Sequence, residues 1–453
     1  MTSQHDSKQY DYDLVVIGAG SGGLSAAKRA AKLGKKVAIV ERNVIGGTCA
    51  NRGCIPTKLM TYVAGFAKQR SLSADYGWRE ASVSGEAFDW PTFKQAMDSH
   101  IEGIRDSITE SVEDEGIDVL RSSATFVDAH TLRVNDKEIT AEFVLLAVGG
   151  RPKMPDIPGI EHAIDSRDAI SFKTLPKSLV IAGGGYIGVE LAQIFCAIGV
   201  EVTLIESNPF VLDGFDKEVQ KRAKQFLTDD GVKVVDDVRL KEIEQDSDAL
   251  IAGLSDGSTI RAERVLCALG RTANTDTLNL KATEVETKKG MVVVDEGGRS
   301  QVSNIFAIGD CTATMLLTPV AKAEGTAAVA TMFEEKAAAI DYAWIPTAVF
   351  THPEIAMAGL TEEAARSQSD QVEVKSKSFT PLKYAMANES LEAFIKLVID
   401  SASGQILGVH MVGPRAADIV QSLVPALKKG LTIEELKETI AIHPSTGEEM
   451  FCF

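Results

Sequence analysis

The fold is decided by residues 13–23, which read DLVVIGAGSGG. After Asp13, the run of apolar and largely β-branched residues to Ile17 is typical of a buried strand in a parallel sheet. This strand runs directly into a G-x-G-x-x-G pattern formed by Gly18, Gly20 and Gly23. Such glycines allow a tight turn and let the pyrophosphate of a dinucleotide approach the N-terminus of the following helix.

The residues after this turn complete a βαβ unit. A helix is predicted at residues 24–33, Gly34 ends it, and a second strand at residues 36–40 stops at Glu41. A carboxylate at the end of the second strand can accept hydrogen bonds from ribose hydroxyls. The sequence therefore predicts a dinucleotide site near the N-terminus.

The same unit occurs a second time in the chain. Its glycines are Gly183, Gly185 and Gly188. Its acid, Glu206, lies as many residues after Gly183 as Glu41 lies after Gly18. Its strand, helix and second strand are predicted at residues 178–182, 187–198 and 201–205. Two complete units favour two bound dinucleotides over ordinary glycine turns, and an enzyme that joins a nicotinamide to a flavin needs one site for each.

Two cysteines lie shortly after the first unit, in residues 46–58, which read GGTCANRGCIPTK. The flanking glycines predict a loop that enters a helix near Cys49, where the helix dipole would lower the pKa of a thiol. Lys58 follows one helical turn after Cys54. Two buried structural cysteines are the alternative. A metal site would need further Cys or His pairs at short spacing, which are absent, so none is predicted. The pair therefore favours redox chemistry.

Other segments extend this organisation. Apolar strands are predicted at residues 143–148, 265–269 and 304–310. The residues at or just after their carboxyl ends, where open α/β sheets bind ligands, are Gly149, Gly270 and Asp310. After about residue 341, strands are predicted at residues 345–350, 372–379, 394–400 and 406–412, with helices at 362–366, 416–429 and 433–438. The predicted fold class is α/β, with two doubly wound dinucleotide-binding domains and a C-terminal α+β domain.

Composition narrows the possible functions. The 453 residues are 45% hydrophobic and 25% charged, which is ordinary for a globular protein of several domains. A formal net charge of -17 argues against nucleic acid as a partner. The sequence contains no run of 18 apolar residues, so a membrane span is not expected. Residues 1–12 are polar and predict a short frayed tail rather than a secretory signal. We therefore expect a cytoplasmic protein. In that reducing compartment its six cysteines are not a disulfide scaffold.

A histidine near the C-terminus can complete the thiol chemistry. Residues 443–449 read HPSTGEE and contain His443 and Glu448. An imidazole can act as acid and base for thiol–disulfide exchange, and a carboxylate can fix its tautomer. The alternative is an ordinary surface histidine. A catalytic role for His443 is favoured only because a dithiol enzyme needs a residue that donates and accepts protons.

Taken in order, these motifs resemble the pyridine nucleotide–disulfide oxidoreductases, which include glutathione reductase, lipoamide dehydrogenase and mercuric reductase. The resemblance covers essentially the whole chain and is strongest for the glutathione reductase branch. It implies FAD, a nicotinamide coenzyme, and a homodimer in which the partner subunit supplies the histidine. The implied domain limits are 1–152 and 276–337 for FAD, 153–275 for NAD(P), and 338–453 for dimerisation.

The resemblance also implies roles for individual residues. The FAD-binding residues would be Gly18, Gly20, Ser21, Gly23, Glu41, Gly47, Thr48, Gly149 and Asp310. The NAD(P)-binding residues would be Gly183, Gly185, Tyr186, Ile187, Gly188, Glu206 and Gly270, with the Tyr186 ring gating the nicotinamide pocket. Cys49 would attack the substrate disulfide, Cys54 would face the flavin, and His443 with Glu448 would move the proton. Lys58 and Glu190 would form an ion pair near the flavin.

The coenzyme is expected to be NADH, with NADPH less favoured. Glu206 suits the free 2′-hydroxyl of NAD and would repel the 2′-phosphate of NADP. NADP-dependent members of the family usually carry arginines here, where this chain has Glu206 and Asp213. The alternative is that Glu206 points elsewhere and a basic residue such as Arg271 helps to bind a phosphate.

The substrate is expected to be glutathione disulfide or a related small disulfide. Thr326 aligns with an arginine that binds a glutathione carboxylate, and Ile108 aligns with a tyrosine between the substrate halves, so the end groups would differ. Lys28 and Arg29 are possible carboxylate partners. Dihydrolipoamide dehydrogenase is the alternative, although Ala441 replaces its usual second histidine. A mercuric reductase-like enzyme and an inactive structural flavoprotein are less favoured, the latter because the six catalytic residues named above are all present.

Overall fold

A computed structural model describes residues 10–78, 88–334, 339–387 and 391–453. Most of the predicted N-terminal tail, residues 1–9, lies outside the described residues, as does the predicted domain limit at 337/338. The chain packs as two compact units. Unit 1 comprises residues 1–56, 94–153 and 270–340, and unit 2 comprises residues 57–93, 154–269 and 341–453. The four predicted domain ranges stay a prediction.

The secondary-structure elements are as follows. The helices are α1 Ser21–Lys32, α2 Gly47–Arg52, α3 Cys54–Asp75, α4 Trp90–Asp114, α5 Ser166–Ile170, α6 Tyr186–Ala197, α7 Lys217–Asp229, α8 Thr318–Phe333, α9 Glu362–Gln368, α10 Ala416–Leu427 and α11 Ile433–Glu438. Short 3₁₀ helices are Ile160–His162, Leu280–Ala282, Gly309–Cys311, Leu382–Tyr384 and Thr446–Phe451.

The strands are interspersed with these helices along the chain. They are β1 Tyr12–Ile17, β2 Val37–Val40, β3 Asp118–Leu120, β4 Ala124–Phe126, β5 Thr131–Val134, β6 Lys137–Leu146, β7 Gly150–Pro152, β8 Ser178–Ala182, β9 Glu201–Ile205, β10 Lys233–Val235, β11 Leu240–Asp246, β12 Ala249–Leu254, β13 Thr259–Ala262, β14 Arg264–Cys267, β15 Arg271–Ala273, β16 Thr287–Lys288, β17 Met291–Val292, β18 Ile305–Ala307, β19 Thr347–Val349, β20 Glu354–Gly359, β21 Val372–Phe379, β22 Ala393–Asp400 and β23 Ile406–Gly413.

The central sheet of unit 1 is built around β1. Its order is β3-β2-β1-β6, with β18 also paired to β6, and these pairings are parallel. Leu14, Val15 and Val16 of β1 are 0% exposed because both faces of the strand are covered. An antiparallel hairpin of β4 and β5 continues from the N-terminal half of β6.

Unit 2 repeats the same arrangement. Its parallel sheet has the order β10-β9-β8-β14, so β8 occupies the place that β1 has in unit 1. An antiparallel sheet of β11, β12 and β13 follows. Unit 2 also contains the antiparallel sheet β19-β20-β23-β22-β21, which packs with α10 and α11 around a core that includes Ile395, Met411 and Val420. The predicted fold class is therefore confirmed.

The helix after the first glycine turn starts earlier than the sequence predicts. The predicted start is residue 24, whereas α1 begins at Ser21 and includes Gly22 and Gly23. A Cβ on Gly23 would lie 2.1 Å from the carbonyl oxygen of Gly18, so the helix can pack this closely against the strand end only with glycine there. Close packing, rather than helix propensity, explains these glycines.

A buried ion-pair cluster joins distant segments of unit 2. Lys396 of β22 is 1% exposed. Its Nζ lies 2.9 Å from Asp216, 2.7 Å from Glu218 and 2.7 Å from Glu362. Asp216 also caps α7 by accepting a hydrogen bond from the Glu218 amide at 3.0 Å. Burial opposes the charge of Lys396, but the three carboxylates hold its pKa above the ordinary value.

Replacing this lysine should destabilise the protein. Lys396→Met leaves Asp216 buried without its cation, and we expect the free energy of unfolding to fall by about 3 kcal/mol. Lys375→Met is the matched control, because the pair of Lys375 with Glu373 is partly exposed and should contribute less than about 1 kcal/mol. Denaturant unfolding compares the two variants, and equal losses would contradict a structural role for the cluster.

Candidate active site

The two cysteines lie at the starts of two consecutive helices in unit 1. Gly46, with φ 100°, and Gly47, with φ 60°, form the turn that enters α2, and Cys49 lies in its first turn. Gly53 separates α2 from α3, whose first residue is Cys54. The sequence predicts one helix start near Cys49, and the structure has two. Each thiol therefore lies at the positive end of a helix dipole.

The two side chains interact directly. A hydrogen bond from Cys54 lowers the pKa of Cys49 well below its ordinary value, against the effect of burial, and Thr318, Lys322 and Ser21 lower it further. The same bond and burial raise the pKa of Cys54. The reduced pair thus shares one proton, and a thiolate is available near neutral pH.

Thr318 was not identified from the sequence as a functional residue. It is the first residue of α8, and its Oγ1 lies 3.5 Å from the Cys54 Sγ. The position of α8 depends on a close approach to α1, since a Cβ on Gly325 would lie 2.6 Å from the carbonyl oxygen of Gly22. The proline after Thr318 was the available signal, because proline is frequent in the first turn of a helix.

The first glycine turn forms a site that fits a dinucleotide. Gly18 has φ 110°, and a Cβ on Gly20 would meet no atom within 4 Å, so space is open at the N-terminus of α1. Glu41 accepts hydrogen bonds from the Ala19 amide at 2.8 Å and the Asn43 amide at 2.7 Å. These bonds fix the carboxylate beside the turn and leave each oxygen a second acceptor position.

The cysteine loop lies against this turn. The Gly46 amide donates to the Ala19 carbonyl at 2.9 Å, and a Cβ on Gly47 would lie 2.7 Å from the Gly20 Cα. Asn51 donates its side-chain amide to the Ile45 and Gly47 carbonyls, each at 2.9 Å, while its buried Oδ1 has no partner among the described residues. An open acceptor at this point fits a ligand that donates hydrogen bonds. Thr48 is exposed on the same helix.

Asp310 is held in a fixed position in unit 1. Its Oδ2 accepts a hydrogen bond from Arg271 at 2.9 Å, and Arg271 also donates to the Gly150 carbonyl at 2.6 Å. The buried Glu324 of α8 accepts from the Gly309 amide at 2.7 Å and so fixes the adjacent turn. The Asp310 side chain keeps 25% exposure and remains available to a hydroxyl-bearing ligand. The residues present therefore fit FAD.

Two further predicted residues lie nearby in sequence. Gly149, with φ 63°, accepts a hydrogen bond from the Asn274 amide at 3.0 Å. Gly270, predicted for the nicotinamide site, is an exposed residue of unit 1 with φ 97° and accepts from the Lys153 amide at 2.9 Å.

The second glycine turn, in unit 2, repeats the first almost atom for atom. Gly183 has φ 109°, a Cβ on Gly185 would meet no atom within 4 Å, and a Cβ on Gly188 would lie 1.9 Å from the Gly183 oxygen. Glu206 accepts from the Gly184 amide at 2.6 Å and the Asn208 amide at 2.9 Å. This turn fits a second dinucleotide.

Tyr186 and Glu190 lie one turn apart at the start of α6. The Tyr186 side chain is 43% exposed, and Ile187 beside it is half-buried. Glu190 accepts a hydrogen bond from the Phe350 amide at 2.8 Å. Lys58 lies over the Phe350 ring, with Nζ 3.6 Å from the centroid. Glu190 and Lys58 both contact Phe350, and Tyr186 lies one helical turn before Glu190, so these side chains occupy one region of unit 2.

Lys58 forms an ion pair with Glu354, with its Nζ 3.5 Å from Oε1. The predicted pairing of Lys58 with Glu190 stays a prediction. Glu354 begins β20, a strand that the sequence did not predict, and its Oε2 also accepts from the Ala417 amide at 3.3 Å. The pairing joins residues far apart in sequence, so no local pattern could have revealed it.

His443 and Glu448 form a pair in unit 2. The His443 Nδ1 donates to Glu448 Oε2 at 2.7 Å, and Glu448 Oε1 accepts from the Ser445 amide at 3.1 Å. These bonds fix the ring and its tautomer, and leave Nε2 of an 80% exposed side chain to exchange protons. The Ser445 amide and His443 also hold the pKa of Glu448 below its ordinary value.

No helix of the described residues is sufficiently long and apolar to cross a membrane. The same residues contain no group of three or more His, Cys, Asp or Glu side chains arranged to hold a metal ion.

Comparison with known proteins agrees with this arrangement. Residues 12–325 match the family described as pyridine nucleotide-disulphide oxidoreductase, and residues 345–451 match its dimerisation domain. The chain is 37% identical to a glutathione reductase of Nostoc sp., over 97% of this chain and 98% of the relative. It is 35% identical to the chloroplastic/mitochondrial glutathione reductase of Pisum sativum, over 98% and 82%. It is 34% identical to a trypanothione reductase of Trypanosoma congolense, over 97% and 94%. The chain therefore belongs to the pyridine nucleotide-disulphide oxidoreductase family, as the order of its motifs predicts.

Proposed function

We propose that this enzyme uses FAD and a reduced nicotinamide, NADH in preference to NADPH, to reduce glutathione disulfide or a related small disulfide. The observation that carries the proposal is the contact between Cys49 and Cys54 at two helix N-termini, in the same unit as the first glycine turn. The relatives named glutathione reductase and trypanothione reductase support a small disulfide of this kind.

The residues fit a two-step exchange of thiols. The Cys49 thiolate attacks one sulfur of the substrate, forms a mixed disulfide and releases the first thiol as a thiolate, which His443 protonates. Cys54 then attacks the Cys49 sulfur, releases the second thiol and closes a Cys49–Cys54 disulfide. Bound FAD would supply the two electrons that reopen this disulfide, taken from the reduced nicotinamide.

The histidine is proposed to come from the partner subunit of a homodimer. The match of residues 345–451 to a dimerisation domain supports the dimer. Ile440 and Ile442, within the three residues before His443, are 96% and 82% exposed, and an exposed apolar pair close to the proposed catalytic histidine favours burial against a second copy. A cytoplasmic location remains a prediction.

Dihydrolipoamide dehydrogenase is the second candidate. Glu206 favours an NAD-linked enzyme, and this coenzyme fits the alternative as well as it fits the first proposal. The decisive experiment compares glutathione disulfide, its amidated form, lipoamide and mercuric ion as substrates, each with NADH and with NADPH. Highest kcat/KM for a glutathione-type disulfide supports the proposal, and highest kcat/KM for lipoamide would replace it.

Loss of the attacking thiol should separate the two half-reactions. We expect Cys49→Ser to reduce disulfide turnover below about 1% of the wild type, because serine is not an effective nucleophile for sulfur. Flavin reduction by NADH should persist in a stopped-flow measurement. Cys196→Ser, which changes a thiol in unit 2, is the control and should keep full turnover. Persistent turnover in Cys49→Ser would remove Cys49 from the attacking role.

The coenzyme preference should depend on the charge at Glu206. Glu206 accepts hydrogen bonds from the Gly184 and Asn208 amides and the Ser207 hydroxyl, which are neutral, so its carboxylate would repel a 2′-phosphate. Glu206→Arg should raise the ratio of kcat/KM for NADPH to that for NADH at least about tenfold. Glu201→Arg, an equal charge change at the exposed start of β9, is the control. If the ratio of kcat/KM for NADPH to that for NADH were the same in both variants, Glu206 would not be the residue that discriminates between the coenzymes.

The proton-transfer role of His443 predicts a slower exchange without it. His443→Ala should lower kcat for disulfide reduction by about 10²-fold or more, while NADH still reduces the flavin. His162→Ala, which alters a partly exposed histidine of unit 2, should have no effect. Steady-state kinetics and stopped-flow absorbance provide the two readouts. Wild-type kcat in His443→Ala would rule out this role.

A further inference from the structure

One face of α8 carries polar side chains that begin at the cysteine pair. Thr318, Lys322 and Thr326 are spaced four residues apart, so they lie along one side of the helix. Lys322 is exposed, and the two threonines are partly exposed. Thr318 is the end nearest the cysteines, with its hydroxyl 3.5 Å from the Cys54 Sγ. Lys322 therefore lies one helical turn beyond Thr318, the residue of this row that contacts the reactive pair.

Helix α1 contributes a second row of hydroxyls. Ser21 forms a hydrogen bond with Cys49. Ser25, one turn later, donates to the Lys322 carbonyl at 3.1 Å, and its Oγ lies 3.4 Å from the Thr326 Oγ1. The close approach of the two helices at Gly22 and Gly325 holds these rows together. The result is a polar track that starts at Cys49.

Lys322 differs from the other cations of these two helices. Arg29 is paired with Glu334 at 2.6 Å, and Lys28 donates to the Ser111 hydroxyl at 2.5 Å. No ion pair or side-chain hydrogen bond of the Lys322 ammonium occurs among the described residues. Its positive charge nevertheless lowers the pKa of the Cys49 thiol, although by less than the hydrogen bonds from Cys54 and Thr318 do. A free ammonium whose charge acts on a nucleophile can also attract an anion of the approaching substrate.

We propose that Lys322 binds a carboxylate of the disulfide substrate beside Cys49, and so selects disulfides of carboxylate-bearing thiols over neutral ones. The inference rests on the proposed function and specifies the substrate class of that site. The contact also answers an electrostatic difficulty, because a protein with a formal net charge of -17 repels an anionic substrate unless a local cation offsets the repulsion. The sulfur chemistry is unchanged, since Lys322 binds the substrate and exchanges no proton or electron.

The test measures how fast Cys49 is alkylated by an anionic and a neutral reagent. The flavin-loaded enzyme is reduced with a small dithiol, freed of it, and treated with iodoacetate or iodoacetamide, and peptide mapping identifies the product at Cys49. Both reagents react with the same thiolate, so the ratio of their rate constants cancels any change in the thiol pKa. The ratio therefore reports the attraction of Lys322 for a carboxylate and requires no turnover.

We expect Lys322→Met and Lys322→Gln to lower the iodoacetate to iodoacetamide ratio about fivefold at low salt, with a smaller effect at high salt. Lys322→Arg should retain the wild-type ratio. Lys281→Met removes an exposed lysine elsewhere in unit 1 and is the control. An unchanged ratio in both neutral variants would overturn the proposal.

A second measurement connects this residue to the substrate. Lys322→Met should lower kcat/KM for glutathione disulfide about tenfold and change that for its fully amidated form by less than about twofold. Equal losses for both substrates would contradict carboxylate binding. If the wild type turned over no disulfide, the proposed function would fail, whereas the alkylation ratio would still decide the role of Lys322.

Discussion

The hydrogen bond between Cys49 and Cys54 is the interaction on which the chemistry of this chain depends. It exists because two short structural features coincide: a double-glycine turn that starts α2, and Gly53, which ends α2 and lets α3 begin at Cys54. Each thiol therefore lies at the N-terminus of a helix, and the two thiols share one proton. A thiolate maintained in this way is nucleophilic near neutral pH without a metal or a strong base beside it.

The loop that carries Cys49 is packed against the first glycine turn, where the proposed flavin would bind. Gly46 donates to Ala19, and Gly47 approaches Gly20 too closely for a side chain, so the turn and the loop fix each other. The second turn, at Gly183, reproduces the first with the same φ, the same open position and the same acid–amide contact. This repetition explains how one chain can carry two dinucleotides with equivalent geometry.

The βαβ units were predictable because their constraints are local. A positive φ at Gly18, the close approach of Gly23 and the acid at the strand end all appear within one short stretch of sequence. Helix α8 was not predictable in this way, because Gly325 and the small apolar residues that surround it give no single apolar face. Its importance comes from packing on α1, a contact between segments about 300 residues apart.

Some of the proposed site residues could be identified from the sequence, and others could not. Cys49, Cys54 and His443 stand in recognisable motifs, whereas the pair of Lys58 with Glu354 and the placement of Lys322 depend on tertiary structure. Long-range pairs of this kind have no signature in periodicity or spacing.

In the proposed function, the cysteine pair exchanges electrons with a bound flavin. Anaerobic titration of the purified flavoprotein with NADH tests it most directly, by counting the electrons taken up and recording the visible spectrum. We expect uptake beyond the two electrons that the flavin alone accepts, with a long-wavelength band from a thiolate beside the ring. Uptake that stops at the flavin, or a purified protein that binds no flavin, would contradict it.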